Sequence, residues 1–163
     1  MKSYKEEGLM WQDLYKAAFY YLLKLGVPQA DAEDIAQEAL LSTYLNLDGI
    51  QEGKLKAYVL TAARNKYTDY LRKTKKDVTV SIINVFPQST FSEFQQIENK
   101  EAIKKAVNRL TLNEQKLFYL KFILEMSNEE ISSYLKTNSN TVKTMVWRLR
   151  KKLKEYLKEE EKS

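Results

Sequence analysis

The chain contains no cysteine and no histidine. Disulfides, thiolate chemistry and zinc sites built on Cys or His are thereby excluded. The commonest general base is missing too, which argues against an enzyme. Glycine occurs 4 times and proline twice in 163 residues. Repeated sheet turns need more of both, so composition leans towards helices. No uninterrupted apolar run reaches about 18 residues, the length that would suggest a membrane span. The opening residues Met1-Lys2-Ser3-Tyr4-Lys5-Glu6-Glu7 lack the apolar core of a signal peptide, so a cytoplasmic location is expected.

What is present is apolar material for a core (44%) alongside a well-charged surface (30%), enough for one medium domain or two small ones. The net charge is +5, and its placement matters more than its size. Residues 64–76 hold Arg64, Lys66, Arg72, Lys73, Lys75 and Lys76 against Asp69. Residues 141–158 hold Lys143, Arg148, Arg150, Lys151, Lys152, Lys154 and Lys158 against Glu155. Each cluster ends one half of the chain. Two solvated helix faces would account for them, and so would two phosphate-contacting patches.

Apolar spacing divides the chain. Leu14, Ala18, Tyr21, Leu22 and Leu25 recur every three or four residues and predict an amphipathic helix over 9–25, stopped by Gly26-Val27-Pro28. A second helix is expected from Asp31, as N-cap, to about Asn46, with Ile35, Ala39 and Leu40 inward. After a loop at 48–53, a third helix covers 54–73, and three helices with short connections form one small bundle. Residues 77–99 contain no Lys or Arg and no sustained period. Val78-Thr79-Val80-Ser81-Ile82-Ile83 would suit a strand, but no partner strand is in sight, so the stretch reads as linker. Beyond it, a helix near 98–109 precedes two capping boxes, Thr111-Leu112-Asn113-Glu114 and Ser127-Asn128-Glu129-Glu130. The first opens a helix with Leu117, Phe118, Leu120 and Phe122 inward. The second opens a short helix with Ile131 and Leu135 inward. A polar turn at 136–140 leads to a basic helix from Thr141 to about Leu157. The expected architecture is all-α: a bundle at 1–74, a linker at 75–98, and a second helical domain at 99–163.

A short capped helix, a tight turn and a second helix make the helix-turn-helix pattern, whose second helix enters the DNA major groove. At about 100° per residue, Val142, Val146, Leu149 and Leu153 form one stripe of the last helix. Lys143, Thr144, Trp147, Arg148 and Lys151 fall opposite. Among cations, Trp147 is suited to sugar, thymine methyl or a base edge; covering a core edge or meeting a partner are its other readings. Asp34, Gln37, Glu38 and Leu41 share one face of the second helix and combine charge, hydrogen bonding and an apolar contact. A dipole-favoured acidic first turn explains Asp31, Glu33 and Asp34 but not Gln37 and Glu38 aligned with Leu41. A carboxylate metal site is the third reading, weakened because Glu33 points away from Asp34 and no His is available.

Leu110-Thr111-Leu112-Asn113-Glu114-Gln115, Ser127-Asn128-Glu129-Glu130-Ile131 and Asn140-Thr141-Val142-Lys143-Thr144 resemble the C-terminal domain of sigma-70-type transcription initiation factors. Asp31-Ala32-Glu33-Asp34-Ile35-Ala36-Gln37-Glu38-Ala39-Leu40, Tyr58-Val59-Leu60-Thr61-Ala62-Ala63-Arg64-Asn65 and Asp69-Tyr70-Leu71-Arg72-Lys73 resemble the other main domain of the extracytoplasmic-function (ECF) group. Where Tyr58 stands most of the family has Trp; where Glu125 and Lys136 stand it often has Gly, and where Thr137 stands an apolar residue. The resemblance implies that Asp34, Gln37, Glu38 and Leu41 dock on the clamp helices of the polymerase beta-prime subunit. It implies that Tyr58, Arg64, Asn65, Asp69, Arg72 and Lys73 open and read the downstream promoter element. Tyr67 and Tyr70 are further candidate aromatics there, and the 48–55 loop would help hold a flipped base. Lys143, Thr144, Trp147, Arg148 and Lys151 would contact the upstream element. The implied partners are core RNA polymerase, through the clamp helices and the beta flap, promoter DNA, and the anti-sigma factor usual in the family. No cofactor, metal or small-molecule substrate is expected. The competing reading is a sigma-like helix-turn-helix regulator that binds DNA without polymerase.

Overall fold

The computed structural model describes residues 4–78 and 100–162. The described residues hold seven α-helices and no strand, so the chain is all-α. It divides into two compact units, Met1–Lys73 and Thr74–Ser163.

The first unit contains α1 (Tyr4–Lys24), α2 (Gln29–Leu45) and α3 (Leu55–Thr74), with a 3-10 turn at Leu47–Gly49. Its core is formed by Leu14, Ala18, Leu22 and Leu25 of α1 and its end, Ala32, Ile35, Ala36 and Ala39 of α2, and Val59, Ala63, Tyr67 and Leu71 of α3. The alanines let α1 and α2 approach closely, and a fully buried leucine such as Leu22 contributes roughly 1.5–3 kcal/mol. Gly26, at φ 90°, ends α1, and the Val27 amide reaches back to the Leu22 carbonyl at 3.0 Å. That left-handed turn is why glycine suits the position. α2 opens earlier than expected. Its N-cap is Pro28 rather than Asp31, with no side-chain cap, and the Ala32 amide donates to the Pro28 carbonyl at 2.8 Å. Proline already holds the φ that a helix entrance needs, so Asp31 falls inside the first turn.

The second unit contains α4 (Lys100–Asn108), α5 (Leu112–Phe118), α6 (Asn128–Leu135) and α7 (Ser139–Glu161). α7 is its spine: α4 and α6 pack along it, presenting Ala102, Ile103, Ala106, Val107 and Ile131 among the residues buried with Val142, Val146, Leu149, Leu153 and Leu157. Both capping boxes form. The Glu114 amide donates to Thr111 Oγ1 at 3.2 Å, and the Thr111 amide to Glu114 Oε1 at 2.9 Å. Both bonds recur at 3.1 Å between Ser127 and Glu130. α5 passes directly into a π turn, Tyr119–Ile123, of which Tyr119, Leu120, Phe122 and Ile123 are buried.

Two details of the helix-turn-helix differ from expectation. α7 begins at Ser139, not Thr141, because Asn138 is its N-cap and accepts from the Thr141 amide at 2.8 Å. Leu135 is 38% exposed, since α6 ends at that residue and only Ile131 reaches the core. Of the expected linker, 75–78 group with the second unit, while 79–98, and with them most of the strand-compatible stretch, lie outside the described residues.

Candidate nucleic-acid interface

α7 separates its faces cleanly. Val142, Val146, Leu149, Leu153 and Leu157 are buried, while Lys143, Thr144, Trp147, Arg148 and Lys151 are all exposed on the other side. Trp147 is 61% exposed, which removes the core-edge reading. Lys151 Nζ lies 5.4 Å from its ring centroid, so indole and cation form one surface. The other cations of the cluster are not equivalent. Arg150 turns inward over the Phe122 ring at 5.4 Å, and Lys152 binds Glu114 on α5 at 3.0 Å. The charge of this cluster available to a ligand is therefore Lys143, Arg148, Lys151, Lys154 and Lys158. Sequence periodicity places Arg150 and Lys152 off the outward face, but their partners come from other helices and are not visible in the local pattern.

α3 carries the other basic segment. At about 100° per residue, Tyr58, Asn65, Asp69 and Arg72 fall within about 40° of one line along the helix. Tyr58 is half-buried and Asn65 exposed; Asp69 and Arg72 form an ion pair with each other. Arg64 lies roughly a third of a turn away and is half-buried, and Lys73 is exposed at the end of the helix. Tyr67 is a core residue at 4% exposure, stacked on Tyr70 with centroids 6.3 Å apart, so it offers no surface to a ligand. The Tyr70 hydroxyl points to Asp31 Oδ1 at 3.5 Å. The loop ahead of α3 bends at Gly53, φ 84°, with Asp48, Gln51, Glu52 and Lys54 exposed.

On α2, Asp34, Gln37, Glu38 and Leu41 are all exposed and share one face, as their spacing predicts. The face runs on. Tyr44 (61%) and Leu45 (72%) continue it by another turn, so that an acidic half passes into an apolar half. These two were missed, although Leu45 stands four and seven residues beyond Leu41 and Glu38. Trp11 of α1 packs edge-on against Tyr44 at 5.7 Å and flanks the apolar half. Tyr15, also on α1, has its hydroxyl pKa raised by burial and then by the nearby Glu33 and Asp34 carboxylates. Within the first unit an aromatic flank thus adjoins the acidic one.

Two family descriptions match the chain: "Sigma-70 region 2" over residues 10–77 and "Sigma-70, region 4" over residues 100–153. The ECF RNA polymerase sigma factor SigM of Bacillus subtilis is 28% identical over 148 residues, spanning 89% of this chain and 91% of that one. A probable RNA polymerase sigma factor of Haemophilus influenzae is 29% identical over 157 residues, spanning 82% and 81%. A solved structure of the sigma factor RpoE from Bartonella quintana, in complex with the anti-sigma factor NepR, aligns over 97% of this chain and 98% of that one at 27% identity, with a TM-score of 0.39.

Proposed function

This chain belongs to the sigma-70 family, in its ECF group, and from that premise we propose how its three exposed helix faces divide the work of a sigma factor. As a sigma factor it binds core RNA polymerase and directs it to promoter DNA to initiate transcription. The observation that carries this is order: region 2 and region 4 follow one another in a single chain, each centred on its own compact unit. A regulator acting without polymerase has no need of region 2.

The faces are assigned by their chemistry. The α2 face, acidic around Asp34 and Glu38 with Gln37 and then apolar at Leu41, Tyr44 and Leu45, suits a basic helical partner, and we assign it to the clamp helices of the beta-prime subunit. The α7 face suits duplex DNA. We assign Arg148 and Lys143 to base edges of the upstream element, with Thr144 and Trp147 beside them and Lys151 and Lys154 towards phosphate. The α3 line of Tyr58, Asn65, Asp69 and Arg72, flanked by Arg64 and Lys73, suits the downstream element once its strands separate. An aromatic ring and an amide receive unstacked bases, and cations follow the backbone. The second unit is the natural seat for the beta flap, and an anti-sigma factor would compete for the polymerase-facing surfaces. The role is one of binding rather than catalysis, carried out in the cytoplasm, where polymerase works.

Selection from random promoter DNA tests the assignment. Holoenzyme reconstituted from this chain and core polymerase should enrich fragments bearing two separated elements. The free chain should enrich neither strongly, because each unit offers only a few cations. Equal enrichment by the free chain would favour the polymerase-independent regulator.

A further inference from the structure

Glu114 serves two helices at once. Its Oε1 accepts from the Thr111 amide at 2.9 Å and closes the cap of α5. The same carboxylate receives Lys152 Nζ of α7, at 3.0 Å on Oε1 and 3.1 Å on Oε2. One turn before Lys152 on α7 stands Arg148, and residues four apart are neighbours on a helix surface. Glu114, Asn113 and Leu117 line a single groove together with Met145, Arg148 and Leu149. Arg148 is exposed, and no hydrogen bond or ion pair engages it among the described residues.

We propose that Lys152 protects the DNA-reading arginine: by occupying the Glu114 carboxylate it keeps Glu114 from capturing Arg148. This rests on the reading of Arg148 as a base-contacting residue. A guanidinium fork matches a carboxylate bidentately just as it matches the edge of guanine. A carboxylate left open beside Arg148 would therefore compete directly with DNA. Glu114 is kept by its capping role, and the compact ammonium of Lys152 satisfies both its oxygens. Lys152 is thus a positioning residue, acting on DNA through Glu114 and Arg148 rather than by touching a base.

The test uses the full chain assembled with core polymerase, on promoter DNA selected by the wild-type holoenzyme and on the same DNA with a scrambled upstream element. Lys152→Gln should lose about tenfold on the selected element, the scale of one lost base contact, and little on the scrambled one. Glu114→Gln added to it should restore wild-type binding, because glutamine still completes the capping box but no longer attracts arginine. Lys152→Arg, which keeps the ion pair, should bind as wild type. A double variant as weak as Lys152→Gln overturns the proposal, and so does Lys152→Gln binding as wild type. An equal loss on both DNAs also overturns it, since that marks Lys152 as a plain phosphate contact. Arg148→Ala separates the two levels. If it binds normally, the base-reading assignment falls and the proposal falls with it; if it binds weakly while the double variant fails to recover, only the proposal falls.

Discussion

The Tyr134 hydroxyl on α6 donates to the Lys76 carbonyl at 2.7 Å, joining residues 58 positions apart. Around it, Lys116 Nζ binds Asp77 at 2.9 Å, Lys75 Nζ donates to the Ser133 carbonyl, and Val78 is 4% exposed. The segment after α3 is therefore strapped across α5 and α6. Like any phenol, the Tyr134 hydroxyl is a donor at neutral pH, and burial, and then the nearby Asp77 carboxylate, raise its pKa further. Tyr134→Phe should destabilise the second unit by about 1 kcal/mol, the usual net value of one hydrogen bond. Urea denaturation followed on the full chain measures this. An unchanged midpoint would mean that the strap is held by Lys75, Asp77 and Val78 without it.

Glu125 and Lys136 hold φ values of 55° and 58°, in the left-handed region where side chains cost energy. Lys136 ends α6, and the Thr137 amide returns to the Ser132 carbonyl at 3.0 Å, the bond expected of a helix end built for glycine. Lys136→Gly and Glu125→Gly should each stabilise the protein by about 1 kcal/mol. Thermal melting reads this directly, and a fall in melting temperature for both variants would refute it.

These two positions show what the sequence disclosed and what it withheld. That the family it resembles often has glycine at both is what the resemblance implies; both capping boxes, the buried stripe of α7 and the single face of Asp34, Gln37, Glu38 and Leu41 are legible in the letters themselves. All are local, set by periods of three or four residues. What escaped was non-local or terminal. The strap depends on Tyr134 meeting Lys76, and the Glu114–Lys152 pair spans 38 positions. Asn138 and Pro28 took over helix starts assigned to later residues. Tyr67 was offered as a DNA-facing aromatic, but composition could not tell its buried ring from the half-buried Tyr58 and Tyr70.

Charge reversal on α2 probes the polymerase face. Asp34→Lys with Glu38→Lys should weaken binding to core polymerase at least about tenfold, because like charges facing a basic partner cost several kcal/mol. Leu45→Ser should also weaken it, through the apolar half. All three residues are exposed, so the helical circular-dichroism spectrum should not change. Pull-down of core polymerase with undiminished yield from the double variant would remove the assignment.

Acid should loosen the α5–α7 tie. Partial burial raises the Glu114 pKa, but the Thr111 amide, Lys152 and the Thr111 hydroxyl outweigh it, so the carboxyl titrates below its ordinary value. The unfolded chain then takes up the proton first. The pair contributes its full stability above about pH 4.3 and loses it as pH falls through the lower folded value. With 28% of the Glu114 side chain open to solvent, the contribution should stay below about 1 kcal/mol. Urea midpoints of wild type and Glu114→Gln should differ near neutrality and converge in acid. A gap independent of pH would place the effect of the substitution elsewhere than in the ion pair.

The division of labour on DNA gives the sharpest contrast. Lys143→Ala should cost about 1–3 kcal/mol on the selected upstream element if its ammonium reaches a base edge. Lys154→Ala, further along α7, should cost less and act equally on every sequence, because a phosphate contact positions without specifying. Added salt should weaken all of these complexes, since each phosphate contact releases counterions. Tyr58→Ala and Asn65→Ala should behave differently. Their side chains are needed only after bases leave the stack, so closed-complex binding should survive while strand opening fails. Permanganate, which oxidises unpaired thymines, separates the two steps on one promoter. Thymine reactivity should vanish with either variant while the footprint on duplex DNA remains. If both variants open the promoter as the wild type does, the line along α3 has no part in melting, and strand separation must be sought in the exposed loop that precedes it.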